Sequence, residues 1–253
     1  MTRTTGLQRL WWLAVLLTQA SYASEDVPPR EGLEILVYGA TGKVGTDVDD
    51  EALARGHKVT AVSRDPSQIE RQHPNLTAAA GDLLDPDSIA QLLSGKDVVI
   101  TSVRGVIGDK TDWTSSLLYI AVVNVVEQWR PMGDAAPRLM LVGGSGTLEV
   151  EPGVLYADKL PGFLIPKGLE IEIEGQVLAL AYLRATDDIE WSYATPAKNF
   201  TGGKRTGVFR VGGDQAIEDN RGKTRISRAD FAVAILDEVE LENYTGRRFS
   251  VAY

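Results

Sequence analysis

The chain has 253 residues, 43% of them hydrophobic and 24% charged, enough to build one fairly large domain around a real core. The formal net charge is −9, the opposite of the clustered basic surface that nucleic-acid binding requires. There are no cysteines, which excludes disulfides, thiol catalysis and cysteine-held metal; the two histidines, His57 and His73, are not spaced as a ligand pair, so no metal site is expected.

The first residues differ from the rest. Arg3 and Arg9 are the only charges before Glu25, an apolar run occupies Leu10 to Leu17, and the small residues Ser21 and Ala23 sit where a leader would be cut. This predicts a signal peptide over residues 1–23, a polar, proline-containing linker over 24–32 and export to the periplasm or medium. The apolar run is too short for a stable membrane span. A mis-assigned start would instead leave the protein in the cytoplasm.

From residue 33 onward, apolar runs alternate with helical patterns. The spacing predicts a strand at Leu33–Gly39, a helix over Lys43 to Arg55 closed by Gly56, and strands at 57–64 and 75–82. A helix opened by Pro86, a strand at 96–103, a helix over Trp113 to Arg130 and a strand at 137–144 follow. These five βα repeats predict an α/β fold: a doubly wound parallel sheet of the Rossmann kind in a single domain over 33–253. The second half is less regular and reads as a small substrate-side region. Residues 147–167 carry three prolines and form a long loop, of the kind that is usually functional. A helix over Glu174 to Ala185, a strand at 189–196, short strands at 206–212 and 223–228 around a turn, a helix over Ala229 to Glu240 and a final strand from Arg247 complete the chain.

The stretch from Gly39 to Gly45 lies between the first strand and the first helix. Gly39 lets the chain leave the strand sharply, Gly42 lets backbone approach a pyrophosphate, and Gly45 lets the helix pack closely; Thr41, Lys43 and Val44 line the same turn. The end of the second strand, about 20 residues on, is where a carboxylate would take a ribose 2′-hydroxyl or a basic group a 2′-phosphate. Ser63 and Arg64 stand there, so NADP(H) is favoured over NAD(H). Asp65 reads as a cap for the structure that follows.

The segments GATGKVG, VSRDP, AGDLLD and LVGGSGTLEV, with the run from Trp191 to Glu240, resemble the atypical short-chain dehydrogenase/reductase superfamily. The branch is the NAD(P)H-binding one that includes NADH-flavin reductase-like and biliverdin reductase B-like proteins. The resemblance implies that Asp82 and Leu83 flank the adenine and that Thr101, Ser102 and Val103 line the cofactor. It also implies that Gly143, Gly144 and Ser145 face the nicotinamide, and that Pro196 and Ala197 contact the nicotinamide end.

Many relatives use a Tyr-x-x-x-Lys pair as general acid, and this chain lacks it. Tyr156 and Lys159 are three apart in a proline-rich loop, and the helix that should carry the pair has Tyr182 with no lysine after it. Reducing a flavin-like acceptor needs chiefly that it stack on the nicotinamide, and a proton can come from solvent. Tyr156 and Phe163 are the candidates for stacking a planar acceptor, and Ser145 or Arg205 for bonding its polar edge. The expectation is an NAD(P)H-dependent reductase. The alternative is a non-catalytic NADP(H)-binding sensor. The sequence leaves the oligomeric state open.

Overall fold

The computed structural model describes residues 28–108, 112–161 and 165–253. The expected signal peptide and Phe163 lie outside those residues. Residues 28–32, expected as linker, are tied to the domain: Arg30 pairs with Glu242 at 2.6 Å, and its N–H donates to the Glu240 carbonyl at 3.2 Å.

The first half follows the expected order: β1 (Glu34–Tyr38), α1 (Lys43–Ala54), β2 (Lys58–Ser63), β3 (Leu76–Ala80), α2 (Pro86–Leu93), β4 (Val98–Thr101), α3 (Leu117–Trp129) and β5 (Arg138–Val142). Then come a short hairpin, β6 (Glu149–Glu151) and β7 (Val154–Leu155), and α4 (Lys167–Arg184). The chain ends with β8 (Trp191–Pro196), β9 (Asn199–Thr201), β10 (Arg210–Gly212), β11 (Arg225–Ser227), α5 (Arg228–Leu241) and β12 (Arg247–Ala252). The main sheet runs β10-β12-β8-β5-β4-β1-β2-β3, parallel throughout except for β10 on its edge. The order reverses beside β1, which is where open α/β sheets bind their ligands.

Both faces of the sheet are covered at its centre, which is why β1, β4 and β5 are buried almost along their whole length. In β1, Ile35 and Val37 pack with Val48 and Ala52 of α1 and Phe231 and Ile235 of α5. The alternate residues Leu36 and Tyr38 pack with Ile89 of α2, Val122 of α3 and Leu180 of α4.

Four expectations change. Between β2 and β3 there is no helix, only a short 3-10 turn at Pro66–Gln68, so the second repeat is ββ rather than βα; Asp65 does cap that turn, accepting from the Ser67 N–H at 3.1 Å. The strands expected at 206–212 and 223–228 do not pair with each other. The Asp230 carboxylate takes the Thr206 and Gly207 N–H groups at 2.6 and 2.7 Å, pulling that stretch off as a loop. β10 then pairs with β12, and β11 pairs with β9, a strand the pattern did not reveal. The loop at 147–167 is partly structured, by the hairpin and a 3-10 turn at Tyr156–Lys159. Finally, α4 starts at Lys167, seven residues before the expected Glu174. Gly168 and Gly175 weakened the helical pattern, yet Gly175 has a packing reason: a Cβ there would fall 1.9 Å from the Ser116 Oγ.

Candidate functional site

The expected cofactor-binding residues come from the carboxyl ends of six neighbouring parallel strands. β1 ends at the glycine turn, where Gly39 takes a φ of +83°. A Cβ on Gly39 would lie 2.3 Å from the Ser102 carbonyl oxygen and 3.3 Å from Val103 Cγ1, so the turn and the end of β4 are in direct contact. The Gly42 N–H donates to the Gly39 carbonyl at 2.9 Å, and the Thr46 N–H to that of Gly42 at 2.9 Å. A Cβ on Gly45 would meet the Gly39 carbonyl oxygen at 2.2 Å. Gly45 therefore lets the helix close on its own entry turn, where the motif alone suggested packing on the sheet. No side chain caps α1 at Gly42. The opening N–H groups of the helix thus have no capping side chain among the described residues, and with the positive dipole end they favour phosphate oxygens.

At the end of β2, Ser63 pairs with Ala80 in β3, and the Gly81 N–H donates to the Ser63 carbonyl at 3.1 Å. This brings Ser63 beside the Asp82 loop. Arg64 and Lys43 are both exposed. Asp82 accepts from the Leu84 N–H at 2.9 Å and so shapes its own turn. Leu83 is 5% exposed and belongs to the core, its carbonyl held by Asn124 of α3 at 2.8 Å. Thr101, Pro196 and Ala197 are likewise buried, so any part they play in binding runs through backbone atoms.

At the end of β5, the Gly143 N–H donates to the Ala194 carbonyl at 2.9 Å, joining this loop to the end of β8. A Cβ on Gly143 would strike the Tyr193 ring at 2.1 Å, and one on Gly144 would strike the Gln176 amide at 2.4 Å. The glycine pair exists because two large side chains close over it. Ser145 opens a 3-10 turn that packs against the turn carrying Tyr156. Tyr156 is held by its N–H to the Leu148 carbonyl at 2.7 Å, and Lys198 Nζ sits 4.4 Å from the centroid of its ring. Lys159 turns away to Glu151 at 2.9 Å.

Arg205 does not join this group. Its guanidinium grips Glu51 on the flank of α1 with two bonds of 2.7 and 2.8 Å, and the pair holds the Glu51 carboxyl below the usual range. Tyr182 is also elsewhere, bonded to Glu127 of α3 at 3.2 Å. Gln176, Lys198 and Arg71 are near the expected residues and were not legible in the sequence. They reach the site from loops and helix turns whose register no local pattern sets. A separate cleft of about 390 Å³ lies between the β6–β7 hairpin and α4. Its one buried charge, Arg248, is already satisfied by Asp214 at 2.7 Å and the Thr147 carbonyl at 2.6 Å.

The turn at Gly39, Gly42 and Gly45 has the tight strand-to-helix packing that a dinucleotide pyrophosphate site requires, since a Cβ at Gly39 or Gly45 would strike neighbouring backbone. A family model described as NAD(P)H-binding matches residues 39–241, beginning at the first glycine of that turn. The chain belongs to the NAD(P)H-binding family. The uncharacterized protein YwnB of Bacillus subtilis is 31% identical over 225 residues, covering 87% of this chain and 98% of that one. Among solved structures, a candidate exported protein from Burkholderia pseudomallei is 35% identical with a TM-score of 0.73, covering 87% of this chain and all of its own. A candidate epimerase from Bacteroides thetaiotaomicron is 28% identical with a TM-score of 0.76, over 88% and 98% of the two chains. A candidate NADH-flavin reductase from Streptococcus pneumoniae shares the fold at 24% identity and a TM-score of 0.68, over 87% and 99%.

Proposed function

We propose that this protein is an NAD(P)H-dependent reductase that favours NADP(H) and passes hydride directly to a planar acceptor such as a flavin. The observation that carries the reading is the glycine cradle at the uncapped start of α1, within a family match that begins at its first glycine. A bound nicotinamide nucleotide supplies the hydride. The chain supplies the position: the N–H groups at the start of α1 take the pyrophosphate, and Arg64 takes a 2′-phosphate. The loop of Gly143 and Gly144, packed under Tyr193 and Gln176 at the end of β5, faces the nicotinamide end. The Tyr156 ring, steadied by Lys198, is the stacking surface for the acceptor, and Ser145 offers a hydroxyl to its polar edge. Phe163 remains a second stacking candidate.

The name of the Streptococcus neighbour agrees with a flavin acceptor. The epimerase name of the Bacteroides neighbour points to different chemistry, which would require an acid–base pair that α4 does not carry. That same absence favours a second reading, a non-catalytic NADP(H)-binding sensor. Both are tested by titrating the purified protein with NADPH and NADH and then following NADPH oxidation with and without FMN, FAD or riboflavin. Oxidation that depends on added flavin supports the reductase. Tight binding without flavin-dependent turnover removes it and leaves the sensor.

Export belongs to the same proposal. It rests on the pattern of residues 1–23 and agrees with the name of the Burkholderia neighbour. A mature N-terminus at Ser24, read by mass spectrometry of protein from the native host, supports it; an intact leader on soluble cytoplasmic protein overturns it.

A further inference from the structure

Arg71 lies in the irregular stretch between β2 and β3, with no motif around it. Its guanidinium nevertheless reaches back across the first βα unit. One nitrogen donates to the Thr46 carbonyl at 3.2 Å and to Asp50 at 2.9 Å. The other donates to the Ala40 carbonyl at 3.4 Å and to Asp49 at 2.6 Å. Asp49 is fully buried in α1, and its second carboxylate oxygen has no partner among the described residues. A buried carboxylate is tolerated where a cation answers it, and here the cation comes from a loop that could otherwise pack in many ways.

The two carbonyls matter because of where they sit. Ala40 follows Gly39 in the glycine turn, and Thr46 is in the first turn of α1. A peptide group is planar and trans, so fixing the Ala40 carbonyl on one side directs the Thr41 N–H to the other. The Thr46 carbonyl lies one turn along the same helix, so holding it ties Arg71 to the body of α1 as well as to the glycine turn. The Ala40 carbonyl also accepts from the Thr46 hydroxyl at 3.1 Å, so both chain and side chain fix its direction. A cation on a carbonyl oxygen polarises the peptide and strengthens the opposite N–H as a donor. The Thr41 N–H meets no acceptor among the described residues. The guanidinium fork suits this work: a single ammonium could answer Asp49 but could not hold both carbonyls as well.

We propose that Arg71 is a positioning residue of the nucleotide site, holding the Ala40 carbonyl of the glycine turn so that the Thr41 amide faces the pyrophosphate. The proposal rests on the nucleotide-binding reading above. It assigns Arg71 to the part of the site shared by NADH and NADPH, whereas Arg64 is assigned to the 2′-phosphate alone.

The test is calorimetric titration of wild type, Arg71→Met, Arg71→Lys and Arg64→Ala with NADH and NADPH, with the melting temperature of each ligand-free protein measured alongside. Arg71→Met is expected to weaken both nucleotides by about tenfold, to similar extents. Arg71→Lys is expected to keep most of the ligand-free melting temperature, because it still answers Asp49, yet to remain weak for both nucleotides. Recovery of affinity together with stability in Arg71→Lys would reduce Arg71 to a counter-charge and overturn the proposal. So would a loss confined to NADPH, or wild-type affinity in Arg71→Met. If Arg71→Met does not fold, Arg71→Lys alone decides. Failure of wild type to bind either nucleotide is a distinct result, and it removes the nucleotide reading along with the proposal.

Discussion

Gly45 and the carbonyl of Gly39 are packed so closely that a Cβ on residue 45 would lie 2.2 Å from that oxygen. The contact is with backbone, so no side chain can swing aside to relieve it. Gly45→Ala must therefore open the turn. Forced overpacking of this kind costs roughly 1–3 kcal/mol, or several degrees of melting temperature for a domain of this size. Nucleotide binding should fall further than stability does, because the displaced atoms are the ones that shape the cradle. Thermal melts with and without NADPH check this: the ligand-induced rise in melting temperature should vanish in the variant. An undiminished rise would show that the turn does not hold the ligand.

Arg64 is exposed at the end of β2 beside the Asp82 loop. Arg64→Glu replaces a phosphate-binding fork with a like charge. Affinity for NADPH should fall by at least about tenfold, with NADH changed little or improved. Parallel titrations with the two nucleotides measure the ratio. Equal losses would take Arg64 out of the 2′-phosphate role and with it the NADP(H) preference.

Asp49 is expected to give the protein's stability an unusual pH dependence. Burial pushes its carboxyl up from 3.8 to about 7, against the pull of Arg71. A carboxyl whose folded value is raised favours the folded state fully below pH 3.8, and that contribution is lost as pH rises through about 7. The whole span is on the order of 4 kcal/mol. Asp49→Asn removes the titration while keeping an acceptor for Arg71. Its melting temperature relative to wild type should therefore climb between pH 5 and pH 8, by several degrees. Melting curves across that range decide it, and a constant difference would mean that Asp49 does not titrate there.

The parts of this molecule that were legible in sequence are those governed by local rules. The parallel sheet could be read because buried strands are apolar along their length and Gly39, Gly56 and Pro86 mark the turns. Asp65 was legible as a cap because capping acts over two or three residues. The failures share a cause. Arg205 was expected at the acceptor's edge and instead holds Glu51, 154 positions away. Arg71 and Lys198 gave no signal, because each acts through residues of another element. The loop at 206–209 was taken as strand because Thr206, Val208 and Phe209 suit one; Asp230, buried at the start of α5, outcompeted the ladder for its amides. Long-range polar contacts of this kind leave no periodicity, and the substrate side of the site is built largely from them.

Tyr156 separates stacking from acid catalysis. The Lys198 ammonium lies over its ring, 4.4 Å from the centroid, and Lys159, its partner in sequence, is held by Glu151. A cation on one face steadies the ring and leaves the hydroxyl uncommitted. If the ring positions the acceptor, Tyr156→Phe should leave both kcat and KM for flavin within about threefold of wild type, since the π-face survives. Tyr156→Ala should raise the flavin KM by about tenfold, the scale of one lost stacking surface, with less effect on kcat. If the hydroxyl instead delivers a proton in the rate-limiting step, Tyr156→Phe should cut kcat by about a hundredfold or more and alter its pH profile. Steady-state kinetics of the two variants at several pH values distinguish these outcomes. The first pattern would also explain how a chain without the helical tyrosine–lysine pair can still reduce an acceptor: what it needs from Tyr156 is a surface, and solvent supplies the proton.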